Sequence, residues 1–309
     1  MLRIGRLLQA PALLLVLTTL FWGGNAVVGK YALNHMSGIE LSFWRWVLAF
    51  LVLFPFAWRA CLGDFAYYRK HLGLLLLMGI LSVSIYNSFQ YLALQWTSAI
   101  NVGLVSATMP LEVFLLTWLF GQERATWLQK GGMLTALVGV TWVITRGDLQ
   151  LLIDLRFNPG DLLMLTAVFC FALYSVLYRK LPPELDKLGL LLLLIFIGIF
   201  GILPFYLWDI RGHETLSLNL ETGLILAYVA IFPSILSYYF WIRAVSVGGA
   251  NQAGLFTNLI SVFASLLAVI FLDESLHAYH LLGMALVFLG ILMSTYLSKW
   301  YRQSEKRYN

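Results

Sequence analysis

The sequence predicts an all-α integral membrane protein of ten transmembrane helices arranged as two inverted five-helix repeats. Three observations carry this: a composition without a soluble surface, apolar runs of spanning length, and an internal similarity between the halves. Of 309 residues, 61% are hydrophobic and 11% charged, whereas a soluble domain carries roughly 25% charged residues. The charges crowd into short stretches between apolar runs, and no stretch is long and polar enough for a separate soluble domain.

A helix needs about 20 mostly apolar residues to cross a bilayer. Apolar runs set against charged or Gly/Pro breaks give spans at 11–31, 39–58, 71–94, 97–118, 126–145, 160–179, 187–207, 222–244, 249–271 and 277–299. The first run follows Arg3 and Arg6 as a signal peptide would. It continues to Tyr31 without a small-residue cleavage site, so a retained helix is expected. With the N-terminus inside, fifteen of the 20 Lys and Arg fall on the cytoplasmic side. Four (Lys30, Arg146, Arg156 and Arg211) fall opposite, and Arg45 falls within a span. That asymmetry fits the positive-inside rule. The expected location is a plasma membrane, the inner membrane of a bacterium, with both termini cytoplasmic.

The halves, 1–149 and 150–309, align on each other. Asn87–Val140 matches Tyr238–Ile291 at an offset of 151 without a gap, pairing Gly103-Leu104 with Gly254-Leu255, Glu123 with Glu274, and Gly139 with Gly290. Upstream the offset is 149, pairing Pro55-Phe56 with Pro204-Phe205. Five spans is an odd number, so the second copy enters the membrane upside down. Inverted repeats of this kind are a frequent architecture of secondary transporters, with the substrate site between them near the midplane.

Several motifs point the same way. Phe21-Trp22-Gly23-Gly24-Asn25-Ala26-Val27-Val28-Gly29-Lys30 closes the first helix, and Phe43-Trp44-Arg45 lies in the second. Thr97-Ser98-Ala99, Pro110 and Glu123 surround the fourth. Gly249-Ala250-Asn251-Gln252-Ala253-Gly254 and Asp273-Glu274-Ser275-Leu276 are the second-half equivalents. Together they resemble the EamA-type branch of the drug/metabolite transporter superfamily over nearly the whole chain. The resemblance implies a ten-helix carrier whose cavity is lined by helices 1–4 and 6–9, with helices 5 and 10 peripheral. It implies little about substrate, since such relatives move amino acids, amines, nucleobases and other metabolites.

Other readings weigh against these. Gly24 to Lys30 fits the first seven positions of a phosphate-binding P-loop, but Tyr31 stands where Ser or Thr would bind magnesium, and the run is hydrophobic. ATP hydrolysis is not expected, and neither a cofactor nor a metal is implied. The net charge of +5 sits at helix ends and does not suggest nucleic acid. Cys61 and Cys170 imply no disulfide framework. Glycines seven apart, Gly132/Gly139 and Gly283/Gly290, let helices approach closely. They read either as ordinary packing or as the face of a homodimer through the outer helices.

The candidate substrate site gathers the polar and aromatic residues at depth: Trp22, Asn25, Arg45, Tyr86, Asn87, Gln90, Glu112, Tyr174, Tyr238, Asn258 and Ser261. Glu112 matches Phe263 in the other half and departs from the family pattern. An acid within a span faces a cavity or a partner, so Glu112 reads as a proton-coupling site, as a counter-ion to a cationic substrate, or as a structural hydrogen-bonding group. Arg45 matches Leu194 and either snorkels outward or anchors an anionic group. At ~1.5 Å per residue Arg45 lies about 8 Å inside the boundary and Glu112 roughly 14 Å deeper, which argues against a direct pair. The expected function is export of a small metabolite such as an amino acid. An organic-cation or drug exporter is the alternative, and a membrane signalling or scaffold protein is the reading from another class. No cluster with nucleophile or metal spacing suggests an enzyme.

Overall fold

A computed structural model of the chain describes residues 11–120, 126–148, 150–151, 157–178, 180–212, 216–217, 219–248 and 256–293. Among the described residues the regular structure is helical throughout. The apolar runs become α1 (Pro11–Ala32), α2 (Gly38–Gly63), α3 (Leu72–Ala93), α4 (Ala99–Leu119), α5 (Trp127–Ile144), α6 (Pro159–Tyr178) and α7 (Lys187–Asp209). α8 runs from Leu220–Ala230 through Ile231–Leu236 to Ser237–Gly248, and α9 (Leu259–Leu272) and α10 (Ala278–Ile291) follow. A six-residue helix, Phe65–Lys70, joins α2 to α3.

Seven of these helices (α1 to α4 and α6 to α8) are long and apolar enough to cross a bilayer. α5 has 18 residues, α9 and α10 have 14 each. At ~1.5 Å per residue a 14-residue helix reaches about 21 Å, short of a hydrocarbon core of ~30 Å. Of the expected spans 249–271 and 277–299, residues 249–255 and 294–299 lie outside the described residues. So do Glu123 and the Gly249–Gly254 motif.

Helix starts follow from local chemistry. The side chains of Ser37, Ser98 and Asp186 each accept a hydrogen bond from a backbone N–H three residues on, and Thr126 with Gln129 and Asn219 with Thr222 form reciprocal capping boxes. α4 is interrupted at Ala107–Thr108, just before Pro110, whose ring removes one backbone donor.

Apolar burial is one-sided on α2. Leu41, Trp46, Ala49, Leu53 and Ala57 are buried against α7 and α8, while Leu51, Phe54 and Phe56 point outward, Phe56 at 79% exposed. An outward face this apolar suits lipid rather than water.

Packing respects the repeat. α1 lies against α8 and α9, and α6 against α3 and α4, which are the matching pairs when the halves are exchanged. α2 packs on α7, α4 on α9, and α5 on α10, each helix against its own equivalent. The α5–α10 seam is built on glycine. A Cβ on Gly290 would stand 2.4 Å from the Gly132 carbonyl oxygen, and one on Gly139 2.9 Å from that of Gly283. The glycine face read as a dimer surface is therefore occupied within the chain, because only backbone-to-backbone approach lets these two helices meet.

Two six-residue π-helical segments interrupt the long helices at equivalent places, Ile80–Ile85 in α3 and Ile231–Leu236 in α8. Their starts differ by the same 151 residues that align the sequences. Such segments frequently mark functional sites, because the widened turn frees carbonyls and re-aims the side chains that follow. Here side chains take up the freed groups. Asn87 Nδ2 donates to the carbonyls of Ser82 (2.9 Å) and Val83 (3.3 Å), and Ser234 Oγ donates to that of Val229 at 2.8 Å. The α3 segment is held by α7: Ser84 Oγ donates to the Gly198 carbonyl at 2.9 Å, and a Cβ on Gly198 would collide with Val83 at 2.2 Å.

Candidate functional site

The two π segments flank one buried polar centre. Arg45, 3% exposed, enters from the buried face of α2. Its Nε donates to Ser234 Oγ at 2.7 Å, and its Nη1 donates to Asn87 Oδ1 (2.8 Å), Tyr91 Oη (2.8 Å) and, at 3.4 Å, Asn25 Oδ1. Tyr91 Oη in turn donates to Asn25 Oδ1 at 2.8 Å. The guanidinium sits 4.9 Å from the Trp46 ring centroid and 5.7 Å from that of Tyr91, a favourable setting for a desolvated cation. Arg45 thus does not snorkel: α1, α2, α3 and α8, helices of both halves, hold it inside.

Every oxygen around Arg45 belongs to a neutral group. Among the described residues no carboxylate pairs with it, and the one ion pair is His35–Glu221 at 3.4 Å, elsewhere. An unpaired charge in a low-dielectric interior is costly, so this centre carries a net positive charge that the fold leaves uncompensated.

An aromatic wall surrounds it. Trp22 meets Tyr238 edge-to-face at 6.2 Å, and its Nε1 donates to the Pro233 carbonyl at 3.0 Å. Tyr86 packs on Phe171, and the row continues through Tyr174 to Tyr178. Tyr86 and Tyr228 pack on the core that holds Tyr91, whose Oη stands 2.8 Å from Arg45 Nη1, and Tyr238 packs on the core that holds Trp46.

The expected site residues divide accordingly. Asn25 and Asn87 both accept from Arg45, and Trp22, Tyr86, Tyr174 and Tyr238 form the surrounding wall. Gln90 is buried one turn beyond Asn87. Three residues stand apart. Glu112 lies in the first turn after the α4 interruption: its Oε1 accepts from Thr108 Oγ1 at 3.0 Å, and its Oε2 is buried without a partner, so it bonds within its own helix and not to Arg45. Ser261 Oγ donates to the Asn258 carbonyl at 2.8 Å, and both sit where α9 crosses α4. The Asn258 Oδ1 atom is buried and unpartnered.

Sequence reasoning missed Tyr91 and Ser234. Tyr91 is one helical turn after Asn87, a spacing that puts both on one face. Ser234 follows Pro233 within an apolar run, and that proline is the available signal of a distorted helix.

A second polar cluster closes the end of the bundle where α1 finishes and α4 and α6 begin. Asp161, fully buried, accepts from Thr97 Oγ1 (2.5 Å) and Asn101 Nδ2 (3.2 Å). His280 Nδ1 accepts from the His277 N–H at 3.0 Å, so its Nε2 carries the proton and donates to Asn101 Oδ1 at 3.1 Å. Glu274 caps α4, accepting from the N–H groups of Ala99 (2.7 Å) and Ile100 (3.0 Å). Lys30 donates to the carbonyls of Leu94 and Thr97. The Gly24–Lys30 run is helical throughout, unlike a phosphate-binding loop. Asp161 feels the charge of Arg146, and Lys30 that of Glu274. This cluster also lines a cavity of about 230 Å³. Among the described residues no three His, Cys, Asp or Glu side chains gather as a metal set.

These features define a multi-pass membrane protein with a buried polar centre drawn from both of its halves. The model of the EamA-like transporter family matches residues 9–145 and again 158–296. The chain belongs to the EamA-like transporter family and is a transporter. It is similar to the uncharacterized transporter YyaM of Bacillus subtilis (strain 168), 25% identical over 277 residues and 90% of each chain. It is also similar to a protein of Escherichia coli (strain K12) named a probable amino-acid metabolite efflux pump, 24% identical over 94% of this chain and 97% of that one. An uncharacterized transporter of Archaeoglobus fulgidus is 27% identical over 92% and 96%. Among solved structures, one crystal structure matches with a TM-score of 0.58 and 18% identity, covering 93% of this chain and 98% of that chain. That likeness concerns the fold alone.

Proposed function

We propose that the protein is a secondary transporter that exports a small metabolite, such as an amino acid, by alternating access. One observation carries the reading: π segments at equivalent positions of the two halves deliver polar groups of both to a single buried centre. Transporters of inverted-repeat build bind substrate at irregular helix segments near the midplane, between the repeats. The proposal includes ten spans as two inverted repeats, 1–149 and 150–309. Lys30 at the end of α1 and Asp161 at the start of α6 occupy the same end of the bundle, as inversion requires. It also includes a bacterial inner-membrane location with cytoplasmic termini, supported by the fifteen-to-four split of Lys and Arg. A second copy, if a homodimer forms through α5 and α10, docks on the side opposite their glycine seam.

Amino-acid efflux is favoured over organic-cation export because the charge at the centre is positive. The amino-acid metabolite named for the Escherichia coli relative agrees with this choice. Counterflow into proteoliposomes, run with a panel of amino acids and a panel of organic cations, tests it. Saturable amino-acid counterflow is the expected result. Saturable counterflow of cations alone selects the drug-exporter reading. No saturable flux of either kind returns the chain to a signalling or scaffold role.

A further inference from the structure

Arg45 is the one charge at the centre of the bundle, and its surroundings specify what it awaits. A guanidinium presents five N–H donors in a planar fork suited to two parallel bonds with a carboxylate. In this structure Nε and Nη1 are engaged by the side-chain oxygens of Ser234, Asn87, Tyr91 and Asn25, all neutral. Nη2 donates to none of them. The four oxygens fix the guanidinium plane and its depth without cancelling its charge. A structural arginine at such burial is paired with an acid, because breaking or omitting the pair leaves an uncompensated charge that is strongly destabilising. Glu112, the one acid in the middle of α4, accepts from Thr108 instead. Glu40, one and a half turns before Arg45 on α2, accepts from the Leu216 N–H at 3.0 Å at the helix start.

We infer that Arg45 is the anchor for the carboxylate of the transported molecule, and that the substrate class is a monocarboxylate with an apolar or aromatic body. The inference rests on the transporter reading and narrows it. One cation matches one carboxylate. A phosphate ester or dicarboxylate would bring a second negative charge for which the centre holds no partner among the described residues. The wall of Trp22, Tyr86 and Tyr238 beside the guanidinium offers aromatic faces and hydroxyls to the remainder of the molecule.

The test uses the full-length protein in detergent. Thermal stabilisation and intrinsic tryptophan fluorescence are read with matched probes: L-leucine against isopentylamine, L-phenylalanine against phenethylamine, and benzoate against benzamide. The carboxylate of at least one pair is expected to bind at least tenfold more tightly than its uncharged or decarboxylated mate. Arg45→Gln is expected to remove that preference, weakening the acid about tenfold to a hundredfold, the range for losing a charge-assisted hydrogen bond. Arg45→Lys should restore part of it.

Because Arg45→Gln removes a group that four side chains bond, Asn25→Asp serves as the second variant. It keeps the shape and the acceptor oxygen beside Nη1 and Tyr91 and adds a built-in carboxylate at 3.4 Å. It is expected to hold or raise thermal stability while losing acid binding by tenfold or more. Equal binding of acid and mate, acid binding unchanged in Asn25→Asp, or no carboxylate of the panel stabilising the parent each overturns the inference. Saturable amine counterflow surviving in Arg45→Gln would leave the transporter reading standing while removing the carboxylate anchor, so the two fail separately.

Discussion

The two buried polar clusters are made of similar residue types and differ in how their charges balance. At the end of the bundle two bases, Lys30 and Arg146, stand near two acids, Glu274 and Asp161, and the carboxylates accept from Thr97, Asn101, Ala99 and Ile100. At the centre a single base meets only neutral oxygens. A balanced, saturated network is a joint: it fastens α1, α4, α6 and α10 where they converge. A network with one charge left over fits the proposed site, since a ligand of opposite charge would complete it. Burial alone does not separate the two, since Asp161 and Asn101 at the end are as buried as Arg45 at the centre.

The contrast predicts where substitutions cost stability and where they cost binding. The largest loss of stability should come from Asp161→Leu. It takes the acceptor from the Thr97 hydroxyl in the interior, at about 1–3 kcal/mol for an unsatisfied group, while Asn101 Nδ2 keeps Thr97 Oγ1 at 3.1 Å. The thermal midpoint in detergent should fall well below that of Asn25→Asp. If Asp161→Leu melts with the parent yet stops transport, the end cluster is functional and the contrast collapses.

Glu274→Gln should do less. The amide oxygen can still accept from one of the two N–H groups at the start of α4, but the negative charge facing that helix end is lost. Such charge–dipole contacts are worth roughly 0.3–1 kcal/mol. A small drop in midpoint with unchanged carboxylate affinity is expected, and a drop in affinity with no change in midpoint would contradict it.

The smallest stability change is expected for Glu112→Gln, since the only bond in view, from Thr108 one turn away, survives the replacement. Its informative readout is transport. Under the proton-coupling role, Glu112→Gln loses pH-gradient-driven flux and keeps binding; under the counter-ion role it loses affinity for a cationic substrate. Parent-like flux and binding at both acidic and neutral pH would make Glu112 a structural residue.

Much of this was legible beforehand, for reasons of scale. The apolar runs and the duplicated motifs are long signals, and α1 to α8 start within a few residues of the expected spans. α9 and α10 fall within their apolar runs, 249–271 and 277–299, to within a residue. The centre was harder to read. Asn25, Arg45 and Asn87 stood out as polar groups at depth, but so did Glu112, Asn258 and Ser261, and depth does not say which way a side chain points. That direction depends on the π segments. One widened turn in α3 rotates Asn87 and Tyr91 toward Arg45, and a run such as Ile-Leu-Ser-Val-Ser-Ile carries no periodic mark of it. The end cluster went unread because Asp161 stood at a span boundary, where acids are ordinary.

The helices that pack on their own equivalents, α2 on α7, α4 on α9 and α5 on α10, have a consequence for ancestry and for design. Under the proposed inverted arrangement, each half shows the other the faces it would show to a second, oppositely inserted copy of itself. A free-standing half could therefore assemble as a dual-topology pair using much the same seams. Such a pair would not reproduce the centre. Two first halves would put two copies of Arg45 in one low-dielectric interior, like charges in a medium that magnifies their repulsion. Two second halves would offer Leu194 in that place and no charge at all. A single guanidinium bonded by both halves is a property that only an unequal, covalently joined tandem can hold.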